Sequence, residues 1–314
     1  MSGPPEFETT SMQAVDVLRR NGRSFHFAKF FLNKKQAIHA ARLYAFCRFV
    51  DDLADDSPDP LQAHEDLESL KRLLERSHHD GFFSLDMQNL ISETDMEACI
   101  AIELIDTVKN DLGPVELESQ ADLIRYAYGV AGTVGLMMCA ILDVRDIRAH
   151  RFAIDLGIAM QLTNIARDVV EDAQMNRRYI PGAWLDHLSP TKLELPNSGE
   201  HRQIKAAIER ILDLADTYYE SAFDGFGYLP FRSRFAIFVA ANAYRQIGVK
   251  LRGREFDVWD GRVVVSTAEK VTVTLKALVA FCVKRRLHQH GRYHNECLHQ
   301  ALSRTTKKRV SKAP

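Results

Sequence analysis

The chain has 314 residues, a formal net charge of −1, 46% hydrophobic residues and 26% charged residues. These are the proportions of a globular chain with a sizeable core, and the near-neutral balance gives no case for nucleic acid as a partner. Cysteines at 47, 99, 139, 282 and 297 show no CxxC spacing. That argues against a disulfide framework or a zinc ribbon and fits a reducing, cytoplasmic compartment.

Residues 1–10, MSGPPEFETT, lack the apolar stretch of a secretory signal and read as a flexible arm. Beyond them, prolines at 58, 60, 114, 181, 190, 196 and 230 leave long intervals in which apolar residues recur with a period near 3.6. The pattern predicts helices near 11–20, 24–32, 34–55, 60–77, 94–111, 119–141, 147–173, 200–224, 230–252 and 266–287. Breaks fall at 57–60, 112–114, 189–200 and 224–230, and none has the length or composition of an interdomain linker. The expectation is one all-α domain over 11–287, followed by a basic tail at 288–314.

In the helix predicted over 119–141, the uncharged run 126–142 reaches only the lower limit for spanning a bilayer and carries Gly129, Gly132 and Gly135. It reads as a buried helix. Its glycines, each costing about 1 kcal/mol against alanine, suit either tight helix packing or the wall of a long apolar pocket that would include Gly132 and Leu136.

Two segments carry the chemistry. In YAFCRFVDDLADD (44–56), Tyr44, Arg48, Asp51 and Asp55 are spaced 4, 3 and 4 residues apart, so a helix stacks them in one stripe embedded in apolar neighbours. In QLTNIARDVVED (161–172), Gln161, Asn164, Asp168 and Asp172 repeat the arrangement with spacings of 3, 4 and 4. One such stripe would pass for a solvated face; two that match point to facing walls of a cavity. Four carboxylates there would repel one another unless cations lay between them. Mg²⁺ suits such oxygen ligands and shares them with substrate phosphates. Candidate basic partners for phosphate are Arg48, Arg177, Arg178, Arg245, Lys250, Arg252 and Arg262.

These residues resemble the squalene/phytoene synthase family of head-to-head prenyltransferases. YAFCRFVDDLAD and QLTNIARDVVEDAQMNRRYIP are similar to its two aspartate-rich motifs, and VAGTVGLMM (130–138), AYRQIG (243–248) and WDGRVVVS (259–266) look most like bacterial phytoene synthases. The resemblance implies a single isoprenoid-synthase-type helical bundle around a central cavity. It implies that Asp51, Asp55, Asp168 and Asp172 hold Mg²⁺, with Mn²⁺ as a substitute and Asp52 and Asp56 as helpers. Ser24, Arg48, Gln161, Asn164 and Arg262 would then bind the diphosphate, with Arg178 beside them, and Tyr44, Asn164 and Tyr244 would lie close to the reacting carbons. The implied reaction joins two prenyl diphosphates through a cyclopropylcarbinyl diphosphate, giving phytoene from two geranylgeranyl diphosphates without NADPH. A C30 synthase using farnesyl diphosphate is the alternative, followed by a terpene cyclase and a non-catalytic assembly factor.

The stretch 284–312 is rich in Lys, Arg and His. It reads as a solvated tail, with peripheral attraction to an anionic membrane surface as the second reading. The histidines in HQHGRYHNECLH (288–299) invite a metal reading, but they have a single cysteine for company, which disfavours a metal site there.

Overall fold

A computed structural model of the chain describes residues 31–55, 57, 59–75 and 86–302. The arm at 1–10, the helix predicted at 11–20, most of that at 24–32, Ser24, Asp56 and the residues after 302 lie outside the described set.

Helix α1 (Lys34–Asp55) begins where Asn33 Oδ1 accepts the Gln36 backbone N–H at 2.8 Å, and it stops short of the prolines at 58 and 60. Helices α2 (Pro60–Glu75), α3 (Asp86–Thr94) and α4 (Ala98–Asn110) pack around it. The nine-residue α3 was not predicted, because a short helix has too few turns for its period to stand out. After α4 come α5 (Gln120–Ala127), one turn of π-helix (Tyr128–Gly132) and α6 (Thr133–Ile141). Next are α7 (Arg148–Arg167), α8 (Val169–Gln174), α9 (Pro190–Glu194), α10 (Ser198–Asp224), α11 (Phe231–Gly253) and α12 (Thr267–Val283). Capping boxes at Ser119, Asn197 and Ser266 start α5, α10 and α12 close to the predicted positions.

Helix α7 is the axis of the bundle: α6, α10, α11 and the π turn all pack on it, and Ile158, Ala159, Leu162 and Ala166 are wholly buried. Two glycines set how closely its neighbours approach. A Cβ on Gly135 would lie 2.2 Å from the Ala153 carbonyl oxygen, and one on Gly157 would lie 2.2 Å from that of Ala131. The α6 and α7 backbones therefore touch directly, and packing is what the glycines at 129 and 135 serve first. The segment Gln120–Ile141 is long and apolar enough to cross a membrane by length and composition. Here it packs inside the bundle against α4 and α7.

The structure differs from the prediction at two further places. The 147–173 helix breaks at Asp168 (φ −101°, ψ 21°), and the 189–200 break contains α9. The only strands among the described residues are two-residue segments, β1 (Val115–Glu116) and β2 (Arg177–Arg178), paired in parallel. The tail is not free as far as Leu302. Leu287 and Leu302 are buried, Tyr218 donates to the Leu298 carbonyl at 2.7 Å, and Tyr228 donates to that of Arg292 at 3.1 Å.

Candidate active site

Helices α1, α6, α7 and α11 enclose an apolar tunnel of about 420 Å³. On α7 its wall is Ala149, Ala153, Leu156 and Met160, a helical stripe that continues directly into Asn164. At 1.5 Å per residue, Ala149 to Asn164 spans roughly 22 Å. Small side chains such as Ala40, Ala131, Ala222, Gly225, Ala236 and Ala240 keep the bore open.

At the Asn164 end the tunnel meets a polar chamber of about 290 Å³. Arg48, Asp51, Val130, Gln161 and Asn164 line both spaces. Asp51 and Asp55 of α1, Asp168 at the α7–α8 junction and Asp172 of α8 all line the chamber, so the two predicted stripes do face one another. The break after Arg167 leaves the second stripe intact, because the Asp172 N–H still bonds to the Asp168 carbonyl at 2.8 Å.

The electrostatics of the chamber follow from burial and crowding. Burial, then the nearby Asp55, pushes the Asp51 carboxyl up to about 7. Burial and Asp168 push Asp172 up to about 8. Asp168 goes the other way: burial alone would raise it, but two arginines outweigh that and hold it below the ordinary carboxylate value. Arg167 donates to it at 2.6 and 2.5 Å, and Arg262 grips both its oxygens at 2.9 Å. Arg177 donates to Asp55 at 2.7 Å, and Arg48 pairs with Asp52 at 2.5 Å. Tyr44 and Tyr244 line the tunnel next to this chamber; burial lifts the Tyr44 phenol to about 12 and raises Tyr244 as well.

The donor set fits a hard divalent cation. It is all oxygen, two of its carboxyls resist ionising without added positive charge, and the buried Asn164 Oδ1 has no hydrogen-bond partner. Asp51, Asp55, Asp168 and Asp172 are the residues that would hold such a cation.

Several expectations are corrected. Arg178 is not at the site: its buried guanidinium donates to the Leu117 and Ile180 carbonyls and pairs with Glu116 and Glu118 at 3.0 and 2.8 Å. Adjacent residues of an extended segment point to opposite sides, so Arg177 takes the chamber and Arg178 the loop anchor. Gly132 packs against Tyr128 and Ile154, and Leu136 lies in the core; Val130, Ala131, Val134, Gly135 and Met138 form that wall instead. The other basic candidates are tied elsewhere, Arg245 to Asp216 and Glu220, Lys250 to Glu269, and Arg252 to Asp213 and Asp216.

Sequence reasoning missed Asp111, Tyr126 and Tyr179, which also line the chamber. Tyr179 donates to Asp111 at 3.0 Å and stacks on Tyr126 with ring centres 4.4 Å apart. Burial raises Asp111 to about 6. A lone aspartate at the end of α4 carries no spacing signal that could have singled it out. Arg167 was equally unmarked.

The two arginines of different role make a paired test. Arg262→Lys is expected to cut kcat/KM by roughly 10- to 100-fold with little change in melting temperature, because lysine cannot reproduce the two-pronged grip. Arg178→Ala is expected to cost about 3 kcal/mol of stability, read by denaturant unfolding. Equal effects of the two changes on activity and stability would refute this division.

The chain is similar to known proteins over most of its length. The squalene/phytoene synthase family model matches residues 18–269. A 15-cis-phytoene synthase of Pantoea ananas is 34% identical over 278 residues, covering 84% of this chain and 89% of that protein. One of Enterobacter agglomerans is 34% identical over 281 residues, covering 86% and 95%. A ligand-bound dehydrosqualene synthase crystal structure superposes with a TM-score of 0.77 at 27% identity, covering 87% of this chain and 96% of that one. A squalene synthase of Alicyclobacillus acidocaldarius shares the fold, with a TM-score of 0.66 at 20% identity over 79% of this chain and 96% of its own. A chamber of paired aspartates opening on an apolar tunnel, with a family match across most of the chain, establishes that this protein belongs to the squalene/phytoene synthase family.

Proposed function

We propose that this protein condenses two geranylgeranyl diphosphates head to head into phytoene, with Mg²⁺ in the aspartate chamber and Mn²⁺ able to replace it. The observation that carries this reading is the continuity of the two spaces: Arg48, Asp51, Gln161 and Asn164 lie where a carboxylate chamber meets an apolar tunnel. A diphosphate seated in the chamber leaves its prenyl chain in the tunnel. The 34% identity to 15-cis-phytoene synthases over most of the chain supports the same reaction.

Held by Asp51, Asp55, Asp168 and Asp172, divalent cations would supply the positive charge that neutralises the departing diphosphate and eases breakage of the allylic carbon–oxygen bond. Arg48, Arg177 and Arg262 surround the departing group, and exchange of their aspartate partners for phosphate oxygens retains charge-assisted hydrogen bonds. The second substrate's double bond supplies the electrons that close the new carbon–carbon bond. A proton is then lost, and the cyclopropylcarbinyl diphosphate ionises in turn, rearranges and loses another. The apolar walls keep water from the cation, and the rings of Tyr44 and Tyr244 offer it π faces. Burial raises both phenols, so they stay protonated at neutral pH.

Purified protein given the C20 diphosphate and Mg²⁺ is expected to form a C40 hydrocarbon with no reductant. Exclusive formation of a C30 product from farnesyl diphosphate would leave the reaction class standing and overturn the substrate. Absence of diphosphate release from either substrate would overturn the reaction itself.

A further inference from the structure

A second ionisable cluster sits on the side of α7 facing away from the tunnel, and the reaction proposed above does not use it. Asp155 is completely buried, in a position where a carboxylate persists only if it is paired. Three donors reach it. Ser221 Oγ of α10 donates to Oδ2 at 2.6 Å, His294 Nε2 lies 2.9 Å from the same oxygen, and His299 Nε2 lies 2.8 Å from Oδ1. The two imidazoles stand side by side with ring centres 4.4 Å apart.

Both histidines come from the stretch 289–302, which has one short 3₁₀ segment (Glu296–Leu302) and is held by tertiary contacts. One imidazole would be enough to pair with a carboxylate; two, with a hydroxyl, make a nitrogen–oxygen set of the kind borderline divalent metals prefer. The spacing His294-x₄-His299 lies within the usual range for histidine pairs that share a zinc ion. The ligand atoms of Asp155, His294 and His299 all lie within 4.8 Å of one another. A tetrahedral ion with bonds near 2.1 Å needs ligands roughly 3.4 Å apart, so a small outward shift of the rings opens the seat.

We propose that Asp155, His294 and His299 bind one divalent transition-metal ion of the zinc type, with Ser221 or a water completing its shell. The ion takes the place beside Asp155 that the two Nε2–H groups now hold, and the proton of each neutral imidazole moves to Nδ1. The bound ion leaves one net positive charge; Glu296, which is paired with Arg151, also lies within electrostatic reach of both imidazoles. The site is separate from the aspartate chamber, since Asp155 and Asp168 are 13 residues apart, roughly 20 Å along the helix axis. Its role is structural: it clips 289–302 to α7 behind Phe152, whose ring packs edge-on against His294 at 5.3 Å and lines the tunnel.

The test uses the full metal-stripped chain in excess Mg²⁺, which fills the aspartate chamber. Added Co²⁺ is expected to produce the intense visible absorption of a four-coordinate nitrogen–oxygen site, saturating at one ion per chain and bleached by Zn²⁺. His299→Gln retains an N–H that can donate to Asp155, so a hydrogen-bonded clasp survives in it while the absorption is lost. No absorption in the wild type, or the same absorption in His299→Gln, would overturn the proposal and leave a hydrogen-bonded clasp. In the wild type alone, Zn²⁺ must also shift the His294 and His299 Nε2 resonances in nitrogen-detected imidazole spectra; unmoved resonances refute the site however the variant folds.

Discussion

Asp172→Asn and Asp51→Asn are each expected to lower turnover by roughly 10³-fold or more, because a lost carboxylate removes cation affinity worth several kcal/mol at the departing diphosphate. The same changes are expected to stabilise the metal-free protein. In the folded chain Asp51 titrates near 7 and Asp172 near 8, both well above the ordinary value of 3.8. Between about pH 4 and those values the native state binds more protons than the unfolded one, so stability falls as pH rises through that window. Keeping each carboxyl in its folded surroundings at pH 8 costs on the order of 4–5 kcal/mol. Metal-free wild type should therefore melt at a lower temperature at about pH 8 than at about pH 5, and each Asn variant should lose about half of that slope. Mg²⁺ should restore the wild type at the higher pH and do less for the variants. Unfolding curves across pH, with and without Mg²⁺, read all of this; a wild type whose stability rises over that range would refute the crowding, and near-normal turnover by either variant would refute the metal roles.

Ala153→Phe is expected to reverse the preference for chain length. Ala153 lies on the tunnel stripe of α7, 11 residues from Asn164, which places it about 16 Å from the chamber end. A phenyl ring there fills the bore that the last isoprene unit of a C20 chain would occupy. The five extra carbons of that chain gain about 0.8 kcal/mol each on burial, some 4 kcal/mol at most. Blocking them should lower kcat/KM for the C20 diphosphate relative to the C15 one by roughly 100-fold. The cavity is open at this point, so the protein should fold normally, as read by melting temperature. An unchanged ratio would mean that the prenyl chain takes another path.

The two aspartate stripes needed nothing beyond the chain order. Residues three and four apart share a helix face wherever that helix lies, so the alignment of Tyr44, Arg48, Asp51 and Asp55 is a local property. The capping boxes at Ser119, Asn197 and Ser266 are local in the same way, and so is the all-α architecture. The break at Asp168 escaped notice because the backbone bond from Asp172 keeps the helical spacing across it.

Tertiary structure decided what depends on orientation between elements. Arg177 and Arg178 are chemically identical neighbours, and only the pairing of β1 with β2 sends one to the chamber and the other to Glu116 and Glu118. Which side of α6 meets the tunnel is set by where the α7 backbone presses on Gly135, so Leu136, adjacent in sequence to a lining glycine, ends in the core. Asp111 enters the chamber because α4 ends there, and Asp155 meets His294 and His299 across 139 and 144 residues of chain. Periodicity along a helix reports which residues share a face. Which neighbour that face meets is set by packing between segments distant in sequence, and no local pattern encodes it.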